Sequence, residues 1–317
     1  MNAHIIYENE ISKRVFLNQE AIQAAESAFA KFSTGKVVMP PVMQIVVEEF
    51  KGQACVKSSY MKGEPFFVVK LASIFSGNAL NNLPSSSGLM LLINAETGVV
   101  DTVLLDNGYL TAIRTAAAGA VAAKYLSNAD ASTVALIGAG NQARLQLKAL
   151  CLVRNIDKVL VWSHSRESAE KFSRSLSREL DVSITSSQDI ESMVKKSDIA
   201  ITTTPSRTPL IQADWLQPGT HLTAVGADAP GKVELHPQCL IKANYYVCDS
   251  REQCKKLGEW SAAQAAGFID KDIVAIELGD VITEKYQFRR KESDITICDL
   301  TGLGIQDTEI ATLARNS

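Results

Sequence analysis

The pattern of apolar and polar positions divides the chain into two parts. Ile22, Ala25 and Phe29 share one face of a helix predicted over residues 19–33, which Asn18 can cap. Strand-like segments then follow one another without intervening helices, which predicts a separate antiparallel domain. These segments cover residues 43–49, 53–60, 65–72, 88–94 and 99–105, and the last two flank a predicted hairpin turn at Ala95-Glu-Thr-Gly98.

The rhythm changes after a helix predicted over residues 109–126. Apolar strands then alternate with helical stretches, which is typical of a doubly wound parallel sheet. A short amphipathic helix over residues 304–316 closes the chain. The sequence therefore predicts an α/β fold, with a Rossmann-type doubly wound parallel sheet that follows a smaller α+β domain. The predicted strands of that sheet are residues 133–138, 158–162, 182–186, 198–203, 221–225, 244–248 and 295–299.

The first of these strands ends in a glycine-containing turn that begins a helix. Gly138 permits the tight turn, Gly140 lets backbone N–H groups approach a pyrophosphate, and Ala143 lets the helix pack close to its strand. Asn141 and Gln142 begin the helix, whose N-terminus carries a partial positive charge. These residues predict a dinucleotide site. The alternative is a glycine-rich turn that binds nothing.

The end of the second strand indicates which dinucleotide is bound. An NAD site usually carries an acidic residue there to bind the ribose hydroxyls. This chain instead has Ser163, His164, Ser165 and Arg166, which can all donate hydrogen bonds to a 2′-phosphate. We therefore expect NADPH as the preferred cofactor and NADH as the alternative. Ser165 as a helix cap and Arg166 as a solvent-facing side chain form the competing interpretation.

Two later strands end at the carboxyl edge of the sheet, where ligands of open α/β sheets bind. Thr203 and Val225 are candidates to contact the nicotinamide half of the cofactor, although a run of threonines also reflects β-propensity. Asp228 follows the second of these strands. An aspartate after a strand is usually a turn residue, so it becomes an acid/base candidate only if other site residues converge on it.

Two cations lie on apolar faces of the first part of the chain. Lys70 shares a strand face with Phe66 and Val68, and Arg114 lies within an apolar, alanine-rich helix. A cation among apolar side chains is costly unless it meets an anion, so the pair predicts a carboxylate pocket. The alternative is that both side chains reach solvent.

Composition narrows the function classes. The chain of 317 residues is 46% hydrophobic and 21% charged, with a formal net charge of −3. This balance predicts neither nucleic acid nor a membrane surface as a partner. We find no membrane-spanning apolar run and no secretory signal pattern, so we expect a cytoplasmic protein. Six cysteines and four histidines are scattered, which predicts neither a metal site nor a disulfide framework.

Together these motifs resemble the ornithine cyclodeaminase/mu-crystallin family. Within that family, the motif sequences are most similar to the branch of Δ1-pyrroline-2-carboxylate reductases and ectoine-utilisation proteins. The resemblance implies a homodimer that binds a small imino or amino acid. It further implies a substrate-binding and dimerisation domain over residues 1–112, to which 303–317 return, and an NAD(P)-binding Rossmann domain over 113–302. Lys70 and Arg114 would bind the substrate carboxylate, and Asp228 would be the acid/base. The motifs are Lys70, Leu110-Thr-Ala-Ile-Arg114-Thr-Ala-Ala, Ile137-Gly-Ala-Gly-Asn-Gln-Ala143, Val225-Gly-Ala-Asp228-Ala-Pro-Gly-Lys and Asp299-Leu-Thr-Gly-Leu-Gly-Ile-Gln-Asp307.

The chain departs from the family pattern at two positions. Many members have an arginine after the Pro-Pro segment, whereas this chain has Gln44, which we expect to serve as a neutral donor to the substrate. Ornithine cyclodeaminases carry an acidic residue thirteen positions before the pocket lysine, and here that position is Lys57. A lysine there would repel the distal ammonium of ornithine, so we assign Lys57 to a pocket for a substrate without one.

These observations predict an NADPH-dependent reductase of a cyclic imine carboxylate. The expected reaction converts Δ1-pyrroline-2-carboxylate to L-proline, and Δ1-piperideine-2-carboxylate to L-pipecolate is a second candidate. In this reaction Asp228 and Lys70 would be the catalytic side chains. Two alternatives remain: a cyclodeaminase that converts ornithine to proline and ammonia, and a non-catalytic NADPH-binding protein.

Overall fold

The computed structural model describes residues 3–269 and 275–317. Within them, the strands that alternation and apolar runs predicted are present, with ends shifted by a few residues. The strands are β1 (His4–Tyr7), β2 (Val37–Val38), β3 (Met43–Val47), β4 (Gly52–Met61), β5 (Phe66–Phe75), β6 (Ser86–Asn94), β7 (Val100–Leu105), β8 (Thr133–Ile137), β9 (Lys158–Trp162), β10 (Ser183–Ser186), β11 (Ile199–Thr202), β12 (His221–Ala224), β13 (Tyr245–Cys248), β14 (Ile276–Glu277) and β15 (Thr296–Asp299).

Helices connect these strands. The predicted cap is confirmed, since the Asn18 side chain accepts a hydrogen bond from the Ala21 N–H. The helices are α1 (Glu8–Arg14), α2 (Gln19–Ser33), α3 (Tyr109–Leu126), α4 (Asn141–Cys151), α5 (Arg166–Leu180), α6 (Ile190–Lys195), α7 (Gln238–Lys242), α8 (Arg251–Cys254), α9 (Gly258–Ala265), α10 (Leu278–Ile282) and α11 (Gly304–Asn316).

The chain forms two compact units. The terminal unit comprises Met1–Arg114 and Leu303–Ser317, and the central unit comprises Thr115–Gly302. The boundary between the units falls inside α3. Both ends of the chain therefore belong to one unit, and the central unit is a single continuous segment.

The sheet of the terminal unit has the strand order β1-β7-β6-β5-β4-β2, and β3 also pairs with β4. The pairs from β2 to β7 are antiparallel, as predicted, but β1 pairs with β7 in parallel. The predicted antiparallel run is therefore confirmed, whereas β1, its parallel pairing with β7 and the helix α1 were not predicted from the sequence. The first strand has only four residues and buries only Ile6, so its alternation is too short to recognise, and the short helix α1 follows it.

Helix α11 packs on β4, β5 and β6 of this sheet and on α2. A Cβ at Gly304 would lie 2.6 Å from the Ser58 carbonyl oxygen, so only glycine allows this approach of α11 to β4. One turn later, the hydroxyls of Thr308 and Ser59 are 2.6 Å apart. These contacts fix the first turn of α11 on β4 and determine where Asp307, between them, points.

The central unit contains a parallel sheet in the order β10-β9-β8-β11-β12-β15-β13-β14. Chain order reverses on either side of β8, because β9 and β10 extend to one side and β11 and β12 to the other. Such a reversal places a crevice at the carboxyl ends of the strands, where doubly wound sheets bind ligands. The predicted Rossmann-type sheet is confirmed. Across the described residues, no helix is long and apolar enough to cross a membrane.

Candidate active site

The glycine turn lies where three strands of the central unit end together. Gly138 has a φ of 123°, and a Cβ there would overlap the Thr203 hydroxyl. Its N–H donates to the Trp162 carbonyl at 2.8 Å, and the Thr203 N–H donates to the Ile137 carbonyl at 2.9 Å. A side chain at Gly138 would therefore be strained and would push apart the ends of β8 and β11.

Gly140 leaves open space in front of a helix. It is the N-cap of α4, and within the described part of the chain no atom lies within 4 Å of a Cβ built on it. Asn141 and Gln142 form the first turn of α4, whose leading N–H groups have no partner within the helix itself and carry partial positive charge. Ala143 is fully buried, as the fingerprint requires. This arrangement fits a pyrophosphate.

After β9, Ser165 caps a helix and Arg166 faces solvent, which was the alternative to a 2′-phosphate site. The Ser165 hydroxyl caps α5 by accepting from the Ser168 N–H at 3.2 Å. Arg166 has a side-chain exposure of 78% and pairs with Glu170 at 2.9 Å. An exposed i,i+4 pair contributes little stability, so Arg166 can leave Glu170 at small cost for a stronger anion. Ser163 is half-buried at the end of the strand.

Glu234 joins the loops that follow β11 and β12. Its side chain is fully buried, and Oε1 accepts from the Thr204 N–H at 2.5 Å and from the Thr204 hydroxyl at 2.7 Å. Oε2 accepts from the Gly226 N–H at 2.8 Å. A Cβ at Gly226 would lie 2.5 Å from Oε2, so glycine is required for this contact. One carboxylate thus fixes the two loops that carry Thr203 and Asp228.

Asp228 lies in the second of these loops and is accessible. Its side chain is 47% exposed, and Oδ1 lies 2.6 Å from Nζ of Lys232. Val225, at the end of β12, is buried, and its N–H donates to the Thr202 carbonyl at 3.0 Å. The Asp228 carboxylate is therefore the more accessible member of this ion pair, since the Lys232 side chain is only 15% exposed.

The terminal unit brings the predicted cations together. Lys70 Nζ lies 2.8 Å from Oδ2 of Asp307, and Arg114 Nε lies 2.9 Å from Oδ1. Lys57 is the direct cross-strand neighbour of Lys70. All four residues are buried, so the interpretation that Lys70 and Arg114 reach solvent is wrong. We call Lys57, Lys70, Arg114 and Asp307 the cation cluster.

The electrostatics of the cation cluster perturb two pKa values. Burial, and then the neighbouring Arg114, lower the pKa of Lys70 to about 8, against the opposing effect of Asp307. Burial alone would raise the pKa of Asp307, but Arg114 and Lys70 outweigh it, so the pKa lies below its ordinary value. At neutral pH the cluster therefore holds an ionised carboxylate among three cations.

Gln44 is not brought into the cation cluster. Its side chain is exposed on β3, and its amide donates to Oε1 of Gln53 at 3.2 Å. Its part in carboxylate binding stays a prediction. The described residues also contain no group of three or more His, Cys, Asp or Glu side chains placed to hold a metal ion.

Sequence reasoning missed two residues of these arrangements. Asp307 closes one of the motifs, but nothing in the sequence distinguished it from the other polar residues at the start of the last helix. Its burial and its contact with Lys70 are seen only in the fold. Glu234 lies in a segment without periodicity, so nothing local marked it. Both act through residues distant in the chain.

This fold is shared with enzymes whose structures contain a bound nicotinamide dinucleotide. The chain belongs to the ornithine cyclodeaminase/mu-crystallin family, which it matches over residues 1–317. It is 45% identical over 311 residues to an uncharacterized cyclodeaminase of Sinorhizobium fredii, covering 98% of this chain and 94% of that protein. It is 36% identical over 311 residues, with the same two coverages, to an alanine dehydrogenase of Archaeoglobus fulgidus.

Solved structures support the same assignment. The Δ1-pyrroline-2-carboxylate reductase of Thermococcus litoralis, in complex with NADH and L-proline, matches with a TM-score of 0.92 and 31% identity, covering 99% of this chain and 96% of that one. An archaeal alanine dehydrogenase dimer with bound NAD matches with a TM-score of 0.92 and 35% identity, covering 100% and 96%. The resemblance found in the sequence is confirmed at the level of the family.

Proposed function

We propose that the protein reduces the C=N bond of a cyclic imine carboxylate with NADPH. Δ1-Pyrroline-2-carboxylate, giving L-proline, is the first substrate, and Δ1-piperideine-2-carboxylate, giving L-pipecolate, is the second. The observation that carries the proposal is the buried pair of Lys70 and Arg114, because these two cations share the Asp307 carboxylate and can also bind a small anionic substrate. The similarity to a pyrroline-carboxylate reductase solved with L-proline agrees with this substrate class.

Each candidate residue has a role in this reaction. Arg114 and Lys70 bind the substrate carboxylate and orient the ring. Asp228 keeps the ring nitrogen protonated, so that the carbon of the C=N bond is electron-poor. A nicotinamide held on the glycine turn would supply a hydride to the carbon of the protonated C=N bond, and the amine would then form without a further proton. Lys57 disfavours substrates with a distal ammonium, which argues against ornithine.

The dinucleotide would lie on the glycine turn of the central unit. Gly138 and Gly140 leave room for its pyrophosphate, and the first turn of α4 offers Asn141 and Gln142. The preference for NADPH is supported by the absence of a carboxylate among residues 163–166 and by the exposed guanidinium of Arg166.

A homodimer is part of the proposal. Met43, Ile45 and Val46 on β3 are each more than half exposed, at 55%, 52% and 59%. Neighbouring exposed apolar residues on a strand are typical of a surface covered in an assembly. The dimeric alanine dehydrogenase of the same fold supports this view, and light scattering of the purified protein measures it directly.

A substrate screen tests the function. The protein is incubated with NADPH or NADH and either Δ1-pyrroline-2-carboxylate, Δ1-piperideine-2-carboxylate or pyruvate with ammonium, and the loss of nicotinamide absorbance is followed. Ornithine with NAD⁺, assayed for proline and ammonia, is the fourth arm. We expect the highest kcat/KM with Δ1-pyrroline-2-carboxylate and NADPH. No reduction of either cyclic imine, or a higher kcat/KM with pyruvate and ammonium, contradicts the proposal.

A further inference from the structure

We propose that Asp307 is a positioning residue of the carboxylate site, which keeps Lys70 charged and fixes the direction of Arg114. The inference rests on the proposed function, since it assumes that Lys70 and Arg114 bind the substrate carboxylate. It assigns a role to a residue that contacts both of them and lies on neither of their elements.

The geometry is that of a bridge. Oδ2 of Asp307 contacts Lys70 on β5, and Oδ1 contacts Arg114 on α3, at 2.8 and 2.9 Å. Because the two oxygens share one rigid plane, the positions of the two cations are coupled. Asp307 meets the guanidinium at Nε, and Gln306 accepts from Nη1 at 3.4 Å. A substrate carboxylate would then be bound by the terminal nitrogens of Arg114 and by the remaining protons of Lys70.

The bridge cannot easily move, because the turn that carries it is fixed. Gly304 approaches the backbone of β4 closely, and Thr308 contacts Ser59. Gln306 also accepts from the Leu303 N–H at 2.8 Å through its side chain. Asp307 therefore presents its carboxylate to Lys70 and Arg114 from a turn that is fixed on β4.

The charges around Lys70 explain why the bridge is needed. Lys57 lies opposite Lys70 on β4, and Arg114 approaches from α3. Two carboxylates lie near these cations: Asp106, in the turn before α3, and Asp307 on α11. On its other side, Lys70 pairs with Met90 of β6, which is apolar and adds no charge. Burial and Arg114 lower the pKa of Lys70, and Asp307 raises it by its charge and by hydrogen bonding. Removal of the Asp307 charge should therefore move this pKa below about 8.

The D307N variant tests the inference, because it keeps the shape and removes the charge. Two quantities are measured: the pKa of Lys70 from its side-chain NMR resonance, assigned with K70R, and the pH dependence of KM for Δ1-pyrroline-2-carboxylate. We expect the Lys70 pKa to fall by about one unit or more, and the rise of KM with pH to begin lower by the same amount. If KM follows the charged fraction of Lys70, a shift of one unit makes KM about fivefold higher at pH 8 and about tenfold higher above about pH 9. In D307E the charge is kept, so the Lys70 pKa should lie close to that of the wild type, and KM should lie between the values of the wild type and D307N.

The matched control is D101N. Asp101 also forms an ion pair in the terminal unit, with Arg315 on α11 at 2.7 Å, but its carboxylate contacts neither Lys70 nor Arg114. Its loss should leave both the Lys70 pKa and the KM profile unchanged. If D307N does not fold, D307E carries the test: the retained charge should keep the Lys70 pKa close to that of the wild type, while the shifted carboxylate displaces Arg114 and raises KM. An unchanged KM in D307E then overturns the inference.

The outcomes separate the two proposals. An unchanged Lys70 pKa in D307N overturns the inference, and so does a shifted pKa with an unchanged KM profile. A wild-type protein that reduces no cyclic imine refutes the proposed function instead. In that case the affinity for L-proline, titrated through the same Lys70 resonance at several pH values, replaces KM and decides the inference alone.

Discussion

The substitution Glu234→Gln tests whether one buried carboxylate organises the loops that carry Thr203 and Asp228. The Glu234 carboxylate accepts hydrogen bonds from the Thr204 N–H, the Thr204 hydroxyl and the Gly226 N–H. Both backbone groups are obligatory donors, so the side chain must present two acceptor oxygens. Burial raises the pKa of Glu234, and the hydrogen bonds oppose this effect. Glutamine keeps the shape but turns an NH₂ group toward one of the two N–H groups.

The magnitude follows from that mismatch. A hydrogen bond to a charged group contributes about 1.5–3 kcal/mol, and a buried donor left without an acceptor costs about 1–3 kcal/mol. With partial relaxation, we expect E234Q to lower the free energy of unfolding by about 2–4 kcal/mol. For a unit of this size that corresponds to a fall in Tm of roughly 5–15 °C. Because the loops carry Thr203 and Asp228, kcat should fall more than the affinity for NADPH.

The assay combines calorimetry with steady-state kinetics on Δ1-pyrroline-2-carboxylate. The matched control is E191Q, which removes an exposed i,i+4 pair with Lys195 on α6 and should change the free energy of unfolding by less than about 0.5 kcal/mol. An E234Q variant with the Tm and kcat of the wild type would refute the reasoning, because it would show that the loops hold their positions without this carboxylate.

Three further predictions concern chemistry, cofactor choice and acid stability. D228N should lower kcat by about 10²–10⁴-fold while NADPH affinity, measured by fluorescence titration, stays near normal; comparable kcat would remove Asp228 from the acid/base role. R166A should lower kcat/KM for NADPH by about tenfold and leave kcat/KM for NADH unchanged. The control R174A, on the same helix, should change neither value. An equal effect of R166A on both cofactors contradicts a 2′-phosphate contact. Burial, then Arg290 and Arg154, lower the pKa of His221 to about 3 from 6.5, so its stabilisation is full above pH 6.5 and is lost as pH falls toward 3. Between pH 7 and pH 4 in urea titrations, the wild type should lose about 3 kcal/mol more stability than H221Q, and equal losses would contradict the burial argument.

The sequence predicted most of the fold because its strands and helices bury one face or both. Alternation located β5 and β6, and the apolar runs located β8 and β9, within a few residues. It missed β1, whose four residues bury a single side chain, and therefore the parallel pairing of β1 with β7. Short edge strands depend on the neighbour that accepts their backbone groups, which no local pattern describes.

The candidate site divides in the same way. Gly138 and Gly140 were identified because their roles depend on backbone geometry within one turn. Lys70 and Arg114 were identified as misplaced charges on apolar faces, and that argument required an anion without naming it. The first anion that the fold supplies is Asp307, from the far end of the chain.

By itself, the sequence determined the glycine turn after β8, the alternation of strands and helices in a doubly wound sheet, the family and the two cations that need a counter-charge. These features are local, because they follow from periodicity, glycine geometry and the cost of burying a charge. Only the tertiary structure decided that Asp307 bridges Lys70 and Arg114, and that Glu234 joins the loops after β11 and β12. The physical reason is that the pairing of a buried charge depends on which distant element packs over it, and here Gly304 and Thr308 fix that packing.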